Sequence, residues 1–141
     1  MGHDITVKNC PTPYSSECRD GECSHEIIDT SYISFNYRIF YYTYNWKVDD
    51  FHGYTGGYNS IKLKHVLDKM KKEGIKPEIK NGEDVWTPTV NVYCYILTKL
   101  YNLCIKYPSC RFYSDQVFSN PEEIPTHTTN FYFSQPVRGC I

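Results

Sequence analysis

The sequence predicts an α+β fold, a single small domain in which two helices pack on a mainly antiparallel sheet. The chain has 141 residues, which is the length of one domain, and its 40% hydrophobic and 22% charged residues are an ordinary globular balance. From residue 31 onward its periodic segments follow in the order strand, helix, helix, strand, strand. Residues 1–30 are acidic and contain three cysteines. We expect this N-terminal segment to belong to the same domain as residues 31–141.

The first two predicted strands are residues 5–8 and residues 31–46, and the second is rich in aromatic and β-branched residues. One face of the second strand is apolar: Ile33, Phe35, Tyr37, Ile39 and Tyr41. The opposite face mixes rings with polar groups: Tyr32, Asn36, Arg38, Phe40, Tyr42, Tyr44 and Trp46. A face with so many rings is expected to be covered by a helix, a partner chain or a ligand.

Two helices are predicted in the middle of the chain. Asn59 or Ser60 caps the first one, and Gly74 ends it in the position that favours a left-handed glycine. Its apolar residues recur at helical spacing: Leu63, Val66, Leu67 and Met70. The second helix begins at Thr87 with Pro88 in its first turn, and Pro108 halts it.

The remaining predicted elements are a strand over residues 111–118, a turn at residues 120–121 and a short strand over residues 130–134. The main arrangement is antiparallel. A parallel arrangement of residues 31–46 and residues 111–118 across the helical crossover is also allowed, provided that the crossover is right-handed.

The candidate ligand site is a glycine-rich loop before the first helix. Three glycines precede a helix start, where free backbone N–H groups and the helix dipole favour an anion. The spacing is not that of a phosphate-binding Walker loop, and a flexible turn with a helix cap is the alternative. The predicted site contains the loop and side chains expected near it: Gly53, Tyr54, Gly56, Gly57, Tyr58, Asn59, Ser60, Lys62, Arg38, Trp46 and His52.

Three functions are weighed for this site. The first is a non-catalytic binding protein for a small phosphate-bearing or otherwise anionic ligand such as a nucleotide, self-associating through the strand between Tyr32 and Trp46. The second is an accessory or structural protein, for example a viral one, that docks another protein and binds no small molecule. The third is a small hydrolase or transferase centred on His52, with Asp49 or Asp50 orienting the histidine.

The seven cysteines are expected to be reduced thiols. In an oxidising compartment the candidates for disulfides are Cys10, Cys18, Cys23, Cys110 and Cys140. Cys94 and Cys104 fall on the apolar face of the second helix, where a free cysteine behaves as a small hydrophobic residue. Cys10, Cys18, Cys23 and His25 are separated by gaps of seven, four and one residues. We interpret these gaps as lacking the short knuckle of a structural zinc site, so neither a metal nor a cofactor is predicted.

Composition excludes several partners and compartments. The pI near 6.5 argues against a binder of long nucleic acids. No apolar run is long enough for a membrane span, and no secretory signal is recognisable, so a cytoplasmic protein is expected. Gly2 and Thr6 match an N-myristoylation signal, a short pattern that arises often by chance. Alanine is absent while 14 tyrosines are present, which indicates an AT-rich genome such as that of a bacterium, a protist or a large DNA virus.

Overall fold

The computed structural model describes residues 2–10 and 16–115 and confirms the α+β class. Three strands form one antiparallel sheet in the order β2-β1-β3. The elements in chain order are β1 (Gly2–Lys8), α1 (Ser16–Asp20), β2 (Ile27–Ser34), a 3₁₀ helix (Phe35–Phe40), α2 (Tyr41–Tyr44), a second 3₁₀ helix (Val48–Phe51), α3 (Gly56–Lys72), α4 (Val90–Lys106) and β3 (Arg111–Ser114). Among these described helices, none has both the length and the hydrophobicity of a membrane span.

Strand β1 lies in the centre of the sheet and contains the predicted strand of residues 5–8. Its side chains alternate in burial, with His3, Ile5 and Val7 buried. Ile5 pairs with a serine on each side, Ser31 of β2 and Ser114 of β3. Gly2, the residue of the myristoylation match, is buried within this strand and pairs with Ser34.

The predicted strand of residues 31–46 is wrong beyond Ser34. The Ser34 hydroxyl accepts a hydrogen bond from the backbone N–H of Asn36 at 3.1 Å, which caps a 3₁₀ helix over residues 35–40. Helix α2 follows directly and ends at Asn45 in the left-handed region, with φ of 50°. The aromatic side chains after Ser34 therefore project from helical turns in several directions. The continuous aromatic strand face predicted between Tyr32 and Trp46 does not form.

Strands β2 and β3 both pair antiparallel with β1, which lies between them, so β2 and β3 run parallel to each other without pairing directly. The parallel direction allowed for these two strands across the helices is therefore found, with β1 inserted between them. The described part of the chain ends one residue after β3. The predicted end of that strand at residue 118, the turn at residues 120–121 and the strand at residues 130–134 therefore lie outside the described residues.

The two long helices are confirmed, with shifted starts. The Thr55 hydroxyl accepts a hydrogen bond from the Tyr58 N–H, so α3 begins at Gly56 rather than at residue 60 or 61. Helix α4 begins at Val90 because Thr89, not Thr87, is the residue whose side chain caps it. Gly74 follows α3 with φ of 81°, as predicted for its end.

The core lies between the sheet and the two long helices. Buried residues from all three strands contact buried residues of α3 and α4 in one cluster, in which Tyr37, Phe51, Tyr93 and Phe112 are the largest fully buried side chains. Tyr93 of α4 is near its centre, with stacked rings of Tyr37 and Phe40 at 5.3 and 5.2 Å. The helices thus cover one face of the sheet, as the fold class predicts.

Candidate functional site

The predicted glycine loop is built into the edge of the sheet. The Gly53 N–H donates to the Phe112 carbonyl at 2.7 Å, and the Phe112 N–H donates back to the Tyr54 carbonyl at 2.9 Å. These bonds extend the pairing beyond β3, so the loop protects that edge. Gly53, Tyr54 and Gly56 are buried as a result.

The N–H groups expected to hold an anion already have acceptors within the protein. The Gly56 N–H donates to the Cys110 carbonyl and the Gly57 N–H to the Pro108 carbonyl, both at 2.9 Å. The turn that follows α4 thus occupies the beginning of α3 in place of an anion. Because these two N–H groups are engaged by carbonyls, an anion beside the loop is expected to contact side chains instead.

The polar side chains at the start of α3 support the loop itself. The Asn59 amide is buried and donates to the carbonyls of Phe51 and Tyr54, at 3.2 and 3.4 Å. The Ser60 hydroxyl donates to the Gly57 carbonyl at 2.8 Å. These bonds hold the loop against the helix, which is a structural role.

His52 faces β3 and not the glycine loop. Its Nδ1 accepts a hydrogen bond from the Ser114 backbone N–H at 3.0 Å, so the ring carries its proton on Nε2. Its edge packs on the Tyr113 ring, with the centroids 5.5 Å apart. Because Nδ1 is engaged in this way, an aspartate cannot orient the imidazole through that nitrogen as an Asp–His catalytic pair requires.

Arg38, Trp46 and Lys62 line two neighbouring clefts around the end of α2. Arg38 and Trp46 line a cleft of about 340 Å³ together with Asp50. Trp46 and Lys62 line a second one of about 420 Å³, which we call the basic cleft. Its lining residues come from α2, the turn after it and α3: Tyr44, Asn45, Trp46, Lys62, His65, Val66 and Lys69.

The basic cleft combines aromatic walls with three basic side chains of α3. Lys62, His65 and Lys69 are spaced at i, i+3 and i+7, so they share one helix face. The Lys69 ammonium donates to the Thr43 carbonyl at 2.8 Å and lies 5.3 Å above the Tyr44 ring centre. The Lys62 ammonium lies 5.7 Å from the Tyr58 ring centre. The contacts of Lys69 hold its ammonium at the cleft, whereas the ring beside Lys62 belongs to a residue outside the cleft lining.

The carboxylates of Asp49 and Asp50 lie in the second 3₁₀ helix, Val48–Phe51, beside these clefts. Burial raises the pKa of Asp50, and the charges of Lys62 and Lys47 together with the Lys47 N–H oppose that rise. Burial likewise raises the pKa of Asp49. Asp50 thus partly balances the positive charge of Lys62. The side chains that α3 contributes to the basic cleft include no carboxylate.

The four residues that the sequence analysis considered as a metal pattern and rejected on their spacing do lie together in the structure. Sulfur atoms of Cys10, Cys18 and Cys23 and a ring nitrogen of His25 all lie within 4.8 Å of one another. The spacing does not exclude a metal, because the gap of four residues between Cys18 and Cys23 falls within the range that zinc knuckles use. That gap was the available signal.

The other cysteines in the described residues follow the prediction. Cys94 and Cys104 are buried on α4, and burial raises the pKa of both thiols. None of the six described cysteines forms a disulfide, and Cys140 lies outside the described residues.

No protein-family model, curated protein or solved structure matches this chain. The basic cleft and the cysteine–histidine cluster are therefore interpreted from their own chemistry.

Proposed function

We propose that the protein is a non-catalytic binding protein for a small phosphate-bearing or otherwise anionic ligand, held by side chains in the basic cleft. The supporting observation is the convergence of Lys62, His65 and Lys69 on one cleft together with Trp46. Hydrogen bonds from charged donors to an anion are shorter and stronger than neutral ones. Two such ammonium donors, Lys62 and Lys69, on one helix face with His65 between them suit a compact anion.

The cleft favours the anionic part of a ligand over an aromatic base. Trp46 is only 3% exposed, and its ring stacks on Phe51 with the centroids 6.1 Å apart. Tyr44 is also buried, so neither ring presents a free face for stacking. A nucleotide in this cleft would therefore be held mainly by its phosphates.

Isothermal titration with inorganic phosphate, pyrophosphate and ADP tests this proposal. Replacing Lys62 and Lys69 together by glutamine should weaken binding at least tenfold, because each charged hydrogen bond contributes about 1.5–3 kcal/mol. Lys64→Gln with Lys72→Gln is the matched control, since both lysines are exposed, lie on α3 and do not line the cleft. Equal losses in the two double variants would mean that only the overall charge of the helix matters.

A protein-interaction module is the second candidate function, and an exposed apolar patch favours it. Ile39 of the 3₁₀ helix and Tyr42 of α2 are 67% and 97% exposed. Such residues are enriched in interfaces when they lie together on a surface. The predicted surface for self-association was the strand between Tyr32 and Trp46, which does not form. We now propose Ile39 and Tyr42 as that surface. An oligomer in light scattering that Tyr42→Asp dissociates, with no anion binding, would favour this function over the first.

A further inference from the structure

We propose that Cys10, Cys18, Cys23 and His25 bind one zinc ion as a structural site. This inference does not rest on the basic cleft or on its ligand. The three cysteines are buried and the histidine is half-buried. Each residue offers one ligand atom, and three sulfurs with one nitrogen are a ligand set that zinc commonly takes in structural sites.

Two of the distances between ligand atoms match a tetrahedral ion, and all four atoms lie within 4.8 Å of one another. Two sulfurs each at about 2.3 Å from a tetrahedral zinc lie about 3.8 Å apart, and a sulfur and a nitrogen about 3.5 Å apart. The Cys10 and Cys23 sulfurs are 3.6 Å apart, and the Cys18 sulfur is 3.4 Å from His25 Nδ1. A disulfide would need its two sulfurs at about 2.05 Å, so the Cys10–Cys23 distance fits shared coordination and not a bond.

Three local elements supply the ligands around one end of the sheet. Cys10 follows β1, Cys18 lies on α1, and Cys23 and His25 precede β2. The Gly21 N–H donates to the Cys18 carbonyl at 3.3 Å, with Gly21 at φ of 79°, which turns the chain back after α1. The Asn9 N–H donates to the Glu26 carbonyl at 2.9 Å and closes the base of the connection.

Neighbouring side chains are placed to support thiolate ligands. The Tyr113 hydroxyl is 3.3 Å from the Cys10 sulfur, within reach to donate a hydrogen bond to it. The Lys8 ammonium donates to the Gly21 and Cys23 carbonyls at 3.0 and 2.8 Å. Zinc with three thiolates and a neutral imidazole carries one negative charge, and Lys8 places a positive charge beside it.

In the described part of the connection from β1 to β2, residues 9–10 and 16–26, the buried apolar contacts are few. The buried cysteines form, with Tyr113, a small cluster separate from the main core. A segment with so little buried apolar surface is one that a metal cross-link can order. Four protein ligands leave no open coordination position, so the site is structural and not catalytic. Binding converts three thiols to thiolates and releases three protons to the buffer.

Metal analysis of the full chain, purified under reducing conditions, tests the site. We expect about one zinc per chain by mass spectrometry, and cobalt substitution should give the absorption bands of a tetrahedral cobalt–thiolate centre. Cys18→Ala and His25→Ala should each weaken zinc binding by 10–100-fold or more, an order of magnitude set by the loss of ligand support. Cys94→Ala and Cys104→Ala are the matched controls, because both cysteines lie far along the chain on α4, and these variants should bind zinc as the unmodified chain does.

A second measurement, made on the unmodified chain, tests the site even if the ligand variants fail to fold. In the unmodified chain, zinc should slow the alkylation of Cys10, Cys18 and Cys23, as mapped on peptides, and should leave the rate at Cys94 unchanged. The proposal is overturned if zinc is absent or binds without a fixed ratio to the chain. It is also overturned if the control variants lose binding as far as the ligand variants do, or if zinc protects none of the three cysteines.

Discussion

Replacing Gly56 by alanine is expected to lower the free energy of unfolding by about 2–4 kcal/mol, at the upper end of the costs of overpacking. Gly56 is the first residue of α3 and sits against the end of α4. A methyl group there would overlap the backbone carbonyl oxygens of Tyr107 and Cys104, and would press on the Phe112 ring. Backbone atoms cannot move aside as a side-chain tip can, so the two helices would have to separate.

Gly74→Ala is the matched control for this experiment. Gly74 has φ of 81°, and a methyl group on it would meet no atom within 4 Å. Its replacement should therefore cost only the left-handed strain of about 1–2 kcal/mol. Urea unfolding of the two variants gives the comparison. If Gly56→Ala costs no more than Gly74→Ala, the close approach of α3 to the end of α4 is not present in solution.

The fold class and both long helices could be predicted from the sequence because their signals are local. Leu63, Val66 and Met70 recur at helical spacing and are buried, while the capping threonine and the final glycine lie within a few residues of the helix ends. The starts shifted by a few residues since the chain offers more than one capping residue before each helix. The side chain that caps is settled by the packing of the finished helix.

The segment after Ser34 could not be assigned from its residues alone. Its rings favour a strand by composition, but strand preference depends strongly on what the side chains pack against. Tyr37 and Phe40 stack on Tyr93, which lies more than 50 residues further along the chain. Tyr37 and Phe40 reach that cluster from helical turns. The Ser34 side chain caps the first of these turns.

The candidate sites show the same division between local and distant causes. The start of α3 looks like an anion site in isolation, but the N–H groups of Gly56 and Gly57 donate to carbonyls of residues 110 and 108, which no local pattern reveals. In contrast, Cys18, Cys23 and His25 lie within eight residues of one another and Cys10 within sixteen, so their proximity was accessible to the sequence. What the sequence lacked was the pairing of β1 with β2, which brings Cys10 to the others.

Replacing Tyr93 by alanine is expected to cost about 3–5 kcal/mol of unfolding free energy, the range for removing a large aromatic side chain from a core. Tyr93 is fully buried and contacts the rings of Tyr37, Phe40 and Tyr44. It therefore joins α4 to the helical turns that replace the predicted strand. Denaturant unfolding, followed by the fluorescence of the buried Trp46, measures the loss.

Tyr93→Phe separates the ring from its hydroxyl. Within residues 2–10 and 16–115 the Tyr93 hydroxyl has no hydrogen-bond partner, and burial raises the pKa of Tyr93 far above its usual value, so the phenol stays neutral. Removing a buried hydroxyl without a partner should change stability by less than about 1 kcal/mol or raise it, because its desolvation cost disappears. Tyr95→Ala, a half-buried tyrosine on the same helix, should cost less than Tyr93→Ala. A loss of several kcal/mol in Tyr93→Phe would mean instead that the hydroxyl has a partner and that the aromatic cluster is not held by ring packing alone.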